Sequence, residues 1–102
     1  MSKRLEMLQS LTEKSTDPFA WYALAMEYAK LERSQEALAT YAKLRSLHPD
    51  YVPMYLMAGQ LLIQLDQRAA AAEWLRAGIG VAREKGDAHA LAELETALAA
   101  LG

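Results

Sequence analysis

Catalysis and metal binding need side chains that can hold an ion, move a proton or attack a bond, and this sequence offers few. It has no cysteine and two histidines, His48 and His89. Each histidine lies at a helix boundary with no second histidine or cysteine at ligand spacing, so neither starts a metal site. His48, next to Pro49, stands where a helix C-terminal cap residue would. Gly78-x-Gly80 invites comparison with a phosphate loop, but the third glycine, the lysine and the preceding strand are missing. Close packing inside a helix explains those glycines more simply. Glu93 and Glu95 are two apart, which on a helix points them in different directions and prevents a carboxylate pair. With no set of acid, base, nucleophile or metal ligands, the chain is expected not to be an enzyme and to need no cofactor or metal.

Composition narrows the partners. At 102 residues, 53% hydrophobic and 24% charged, the chain has enough apolar surface for one small core and too little charge for disorder. The formal net charge is −2, and lysine and arginine are scattered from Lys3 to Lys85, so no basic stripe is available for nucleic acid. The longest mostly apolar run, Tyr51 to Leu65, is broken by Pro53, Gly59, Gln60 and Gln64 and is too short to cross a bilayer. Glu6 and Gln9 interrupt the start where a signal peptide needs an apolar core, so a cytoplasmic location is expected.

The elements that must position any site are helices. Alanine occurs 20 times, and no segment shows a sustained alternation suited to strands. Lys3 to Lys14 forms an amphipathic helix through Leu5, Leu8 and Leu11. Asp17-Pro18 combines a capping side chain with a proline suited to a first turn, and Trp21, Leu24, Ala25, Tyr28 and Leu31 then recur at one helical face. After the break at Glu32 to Ser34, Ala37, Leu38, Tyr41, Leu44 and Leu47 repeat the spacing until Pro49 stops it. A third helix begins at Asp50 to Pro53 and carries Tyr55, Ala58, Gly59, Leu62 and Leu65. A fourth, with Ala71, Trp74, Leu75, Ile79 and Val81, ends near Gly86, where a left-handed cap is easiest. Asp87 caps a last helix striped by Leu91, Leu94, Leu98 and Leu101.

A shift of 34 residues superposes Trp21 on Tyr55, Tyr28 on Leu62, Leu31 on Leu65, Ala37 on Ala71 and Tyr41 on Leu75. Trp21-x2-Leu24-Ala25-x2-Tyr28, then Ala37-x3-Tyr41, then Pro49 resembles the tetratricopeptide repeat, matching five of the seven positions of its pattern by identity. The second unit is looser, with Arg83 in place of the proline. A two-residue extension there sets Leu91, Leu94 and Leu98 in the places of Trp21, Leu24 and Tyr28. The resemblance implies an all-α fold of antiparallel helix-turn-helix repeats stacked as a short right-handed superhelix, in a single domain of residues 1–102. Residues 18–51 and 52–87 would be the repeats, with an N-terminal capping helix in 1–16 and a C-terminal one in 88–101. Ala25, Gly59, Ala37, Ala71 and Gly78 are small where helices would cross, and Trp21, Tyr28 and Tyr41 would fill the space beside them. On that reading, Trp21→Ala should bring the protein close to unfolding.

The resemblance also implies a role: a scaffold or adaptor that binds a peptide or helix of a partner protein in a concave groove. The groove residues would be Tyr22, Met26 and Lys30, then Leu56, Gln60, Ile63 and Gln64, with His89 and Thr96 further along. Core packing and groove lining are both compatible with the spacing of Met26, Leu56 and Ile63. Chaperone-binding members of the family clamp a carboxylate with lysine and asparagine from these faces. Lys30 is the only basic residue among those positions, which argues against such a clamp. The alternative reading is a structural protein that forms a homo-oligomer through the same apolar face.

Overall fold

The computed structural model describes residues 2–102, and among them it has six α-helices and no strand. The chain divides into two compact units, one ending at Pro49 and one beginning at Asp50.

The first unit holds α1 (Lys3–Lys14), α2 (Pro18–Lys30) and α3 (Ser34–Leu47). Local chemistry sets their ends. The Ser2 hydroxyl accepts the Leu5 N–H at 3.0 Å, and the Asp17 carboxylate accepts the Phe19 N–H at 3.0 Å, with Pro18 at the first position of α2. His48 is the C-cap of α3, and its ring Nε2 meets the Thr16 carbonyl in the α1–α2 loop. Leu24, Ala25 and Tyr28 of α2 are buried, as are Ala37, Tyr41 and Leu44 of α3, which packs on it.

The expected α1 stripe needs one correction. Leu5 and Leu8 are buried, but Leu11 is 47% exposed and Thr12 is buried in its place. At 3.6 residues per turn, two steps of three leave Leu11 roughly 120° round the helix from Leu5, whereas steps of three and four bring Thr12 back within about 20°. The Thr12 hydroxyl is satisfied by donating to the Leu8 carbonyl at 3.1 Å. The α1–α2 interface is also more polar than its leucines suggest. Glu27 is buried on α2, where Arg4 Nε lies 3.3 Å from its carboxylate and the Ser2 hydroxyl donates to it at 3.3 Å. Gln9 Nε2 donates to the Tyr28 hydroxyl at 2.9 Å.

Trp21 is only half-buried, and its indole N–H donates to the Ser15 carbonyl at 3.0 Å. It pins the α1–α2 loop more than it fills a core. Among the largest fully buried side chains are instead Tyr41, 1% exposed, and Tyr55, 2% exposed. The near-unfolding expected of Trp21→Ala therefore passes to those tyrosines, because cavity cost scales with atoms removed from a closed space.

The second unit holds α4 (Pro53–Gln64), α5 (Arg68–Lys85) and α6 (Ala88–Ala100), with α5 packed on both of the others and α4 also touching α6. Its buried residues include Tyr55, Ala58 and Leu62 of α4, Ala71, Leu75 and Ile79 of α5, and Leu94 of α6. The Tyr55 and Trp74 rings lie 5.9 Å apart, tilted at 51°. Two glycines permit this packing. A Cβ on Gly59 would stand 2.7 Å from Leu75 Cδ2, and one on Gly78 would stand 2.5 Å from Tyr55 Cβ. A Cβ on Gly80 would meet nothing within 4 Å, so close packing accounts for the first glycine of the Gly78-x-Gly80 pair and not for the second.

The two helix-hairpin turns are the same object, repeated 34 residues on. Glu32 has φ 62° and Asp66 has φ 58°, both left-handed. In each, the next residue's N–H closes back on the preceding helix, Arg33 onto the Tyr28 carbonyl and Gln67 onto the Leu62 carbonyl, both at 2.9 Å. This is a Schellman closure, usually formed with glycine at the left-handed position. Gly86, with φ 68°, makes it at the end of α5 in that usual form. A non-glycine residue there costs about 1–2 kcal/mol in backbone strain. Glu32→Gly and Asp66→Gly are therefore each expected to raise stability by about 0.5–1 kcal/mol, after allowing for the extra unfolded-chain entropy of glycine. Urea unfolding of the single variants measures this; a loss of stability in both would contradict it.

Candidate functional site

The seven groove residues read from the sequence fall on two helices in different units. Tyr22, Met26 and Lys30 lie on α2. Lys30 is exposed, Met26 is 37% exposed and Tyr22 is half-buried, its ring 6.5 Å from that of Tyr41 at a tilt of 57°. Tyr22 is thus tied to the core of its own unit as well as to the surface. Leu56, Gln60, Ile63 and Gln64 lie on α4, where Leu56 and Ile63 are half-buried and the two glutamines are exposed.

Within the second unit, Leu56 and Gln60 come together with α6. They share a concavity of about 440 Å³ with His89, Glu93 and Thr96, floored by Ala92, Ala97 and Ala100. Ile63 and Gln64, one to two turns further along α4, do not line it. His89 and Thr96, the outlying members of the sequence-derived set, do. The alanines were missed because alanine on a helix carries no sign of which neighbour it faces. The one available signal was the two-residue extension that aligns α6 with the first helix of each pair.

The chemistry of this hollow is that of hydrogen bonding around a small apolar floor. The Gln60 side chain makes no hydrogen bond among the described residues, so its carboxamide offers a donor and an acceptor together. Thr96 donates to the Ala92 carbonyl at 2.8 Å, which leaves its oxygen lone pairs as acceptors. His89 Nε2 lies 3.2 Å from Glu93, an i, i+4 pair that holds both side chains at the rim. Glu95 reaches the other way, to Arg83 Nη2 at 3.4 Å, so the two glutamates serve different sides of α6. No group of three His, Cys, Asp or Glu residues among those described could hold a metal, and no described helix is long and apolar enough to cross a membrane.

Helix hairpins closed by identical turns, with small residues at their crossings, define a helical repeat protein. Comparison with known proteins gives the family. Tetratricopeptide repeat models match residues 18–61 and 52–85. The fold and sequence are similar to those of a tetratricopeptide repeat domain protein from Salinibacter ruber. Its solution structure is 40% identical with a TM-score of 0.79, covering 83% of this chain and 86% of that one. In its crystal structure the identity is again 40%, the TM-score 0.78, and the coverage 83% and 94%. A protein from Bordetella parapertussis is similar at 25% identity and TM-score 0.82, over 99% of this chain and 89% of the other. A search of the curated proteins finds no match. The chain belongs to the tetratricopeptide repeat family, and as such is in general terms a protein–protein interaction scaffold.

Proposed function

We propose that the chain binds a segment of a partner protein, and that the α4–α6 hollow is where it holds part of that segment. The observation that carries the reading is an unengaged Gln60 carboxamide beside Leu56 and a floor of alanines. A primary amide can pair with both the N–H and the C=O of a peptide bond, and a floor without long side chains lets a backbone come close. Leu56 supplies an apolar anchor at the edge. Tyr22, Met26 and Lys30 form a second surface on α2, in which methionine adapts its shape to a side chain of the partner. Residues 18–51 and 52–87 act as the repeats, and 1–16 and 88–101 as the caps.

Gln60→Arg and Thr96→Arg change exposed positions, so both variants should keep the helical circular dichroism and the melting temperature. Their expected effect is loss of the proteins that co-purify with the wild-type chain from its source cell. An unchanged set of co-purifying proteins in a folded double variant would sink the proposal.

A second reading, a homo-oligomer, is favoured by one feature of the first unit. Met7, Leu11 and Phe19 are 52, 47 and 67% exposed, and all three line one hollow of about 290 Å³. Sedimentation velocity of the purified chain at micromolar concentration decides it. A dimer that Phe19→Glu dissociates supports self-association, and a monomer refutes it.

A further inference from the structure

Gly80 is the one residue of the Gly78-x-Gly80 pair that no packing among the described residues explains. It lies in the interior of α5, where glycine weakens a helix relative to alanine, and a Cβ added to it would meet nothing within 4 Å. It opens into a groove along α5 and α6. Two adjoining hollows of about 510 and 520 Å³ share Arg76 and Leu98 as lining residues, the first including Gly80 and the second the Arg68 end of α5.

Three features say what fits there. The first is shape. The lining of α5 recurs at three- and four-residue steps from Arg68 to Arg83, the ridge spacing into which a third helix packs. That length is roughly 22 Å, or about four turns. The second is charge. Arg68, Arg76 and Arg83 edge the groove, and Glu95 supplies its one side-chain carboxylate. Arg83 faces that carboxylate at 3.4 Å, Arg68 donates to the Leu101 carbonyl, and Arg76 makes no ion pair among the described residues. The third is Gly80 itself, whose missing side chain lets another backbone approach where the helix otherwise gains nothing from glycine.

We propose that the α5–α6 groove docks an amphipathic helix of a partner protein, apolar on the face that meets Leu98 and Ala99 and carrying carboxylates on its flanks to meet Arg76 and Arg83. The site is on the opposite side of α6 from Glu93 and the α4–α6 hollow, and does not depend on the reading given for that hollow.

The test is a selection of 18-residue helical peptides, displayed on phage with a fixed apolar stripe and randomised flanks, against the purified full chain. Recovered peptides should be enriched in Asp and Glu. Their affinity, read by fluorescence anisotropy, should fall roughly tenfold or more for Arg76→Glu, which reverses a charge facing the carboxylates. Gly80→Leu, which fills open space and favours the helix, should abolish binding while raising the melting temperature. Gln60→Arg should leave binding unchanged. Recovery of no binders, binders without acidic bias, or binders indifferent to both Arg76→Glu and Gly80→Leu each overturns the proposal. So does binding lost to Gln60→Arg instead, which would place the peptide in the α4–α6 hollow. A wild-type dimer dissociated by Gly80→Leu would make a second copy the occupant and overturn the assignment to a partner.

Discussion

Tyr41→Ala should cost about 3–5 kcal/mol, the range for emptying a closed site of an aromatic side chain, and leave the chain near its unfolding limit. Tyr41 is 1% exposed, its ring lies 6.5 Å from that of Tyr22, and it stands on α3, which packs against α2. Removing it leaves a cavity bordered by Tyr22 and by helices tied at both ends, which limits collapse. Trp21→Ala, at a half-buried position, should cost less. Urea unfolding of both variants gives the comparison, and a larger loss for Trp21→Ala would refute the ranking. The same residue gives the protein an alkaline limit. Burial, with a smaller contribution from Tyr22, pushes the Tyr41 phenol above its ordinary pKa. The unfolded chain releases that proton near pH 10 while the folded chain still holds it, so the contribution to stability is complete below about pH 10 and falls as pH rises beyond it. Tyr41→Phe keeps the ring and should flatten that fall.

Gly78→Ala and Gly80→Ala should move stability in opposite directions although they are two residues apart on one helix. At Gly78 the new Cβ would lie 2.5 Å from Tyr55 Cβ, 3.0 Å from its Cγ and 3.1 Å from Leu94 Cδ2. A Cβ is fixed to its backbone and no rotamer change moves it, so α5 must shift away from α4 and from α6 at once. Overpacking of this kind costs about 1–3 kcal/mol, against which alanine recovers at most about 1 kcal/mol of helix propensity. The same alanine at Gly80 meets nothing within 4 Å and keeps the full gain. Thermal unfolding should therefore show Gly78→Ala below wild type and Gly80→Ala above it by several degrees, since about 1 kcal/mol shifts the midpoint of a domain this size by roughly 4–8 °C. Equal shifts at the two positions would contradict the crossing geometry.

Helix ends were legible in the residues because their causes are local. Asp17 with Pro18, Pro49, Gly86 and Asp87 each act within a few residues, through a cap, a missing N–H or a left-handed backbone, and α2, α3, α5 and α6 begin or end beside them. The left-handed turns at Glu32 and Asp66 were not legible, since glutamate does not favour that conformation, aspartate favours it only weakly, and the closing hydrogen bonds impose it. The repeat showed for a related reason. Small residues at Ala37 and Ala71 and large ones at Tyr41 and Leu75 report a crossing that recurs with the chain's own period.

What only the tertiary structure decided is which neighbour each helix face meets. Periodicity places Leu56, Gln60, Ile63 and Gln64 on one helix, but the crossing of α6 brings only the first two to its hollow. It gives Gly78 and Gly80 the same composition, yet Tyr55 stands against one and open space against the other. It has no means of showing that Glu27 is buried, because Arg4 and Ser2 reach it from more than twenty residues away. A helix's angular pattern is written in its own residues, whereas a site is made where two such patterns cross, and the crossing depends on packing among side chains far apart in the chain. By itself, then, the sequence determined six helices, their ends and their repeat; where those helices cross, and so which surfaces are open to a partner, was decided by the folded packing.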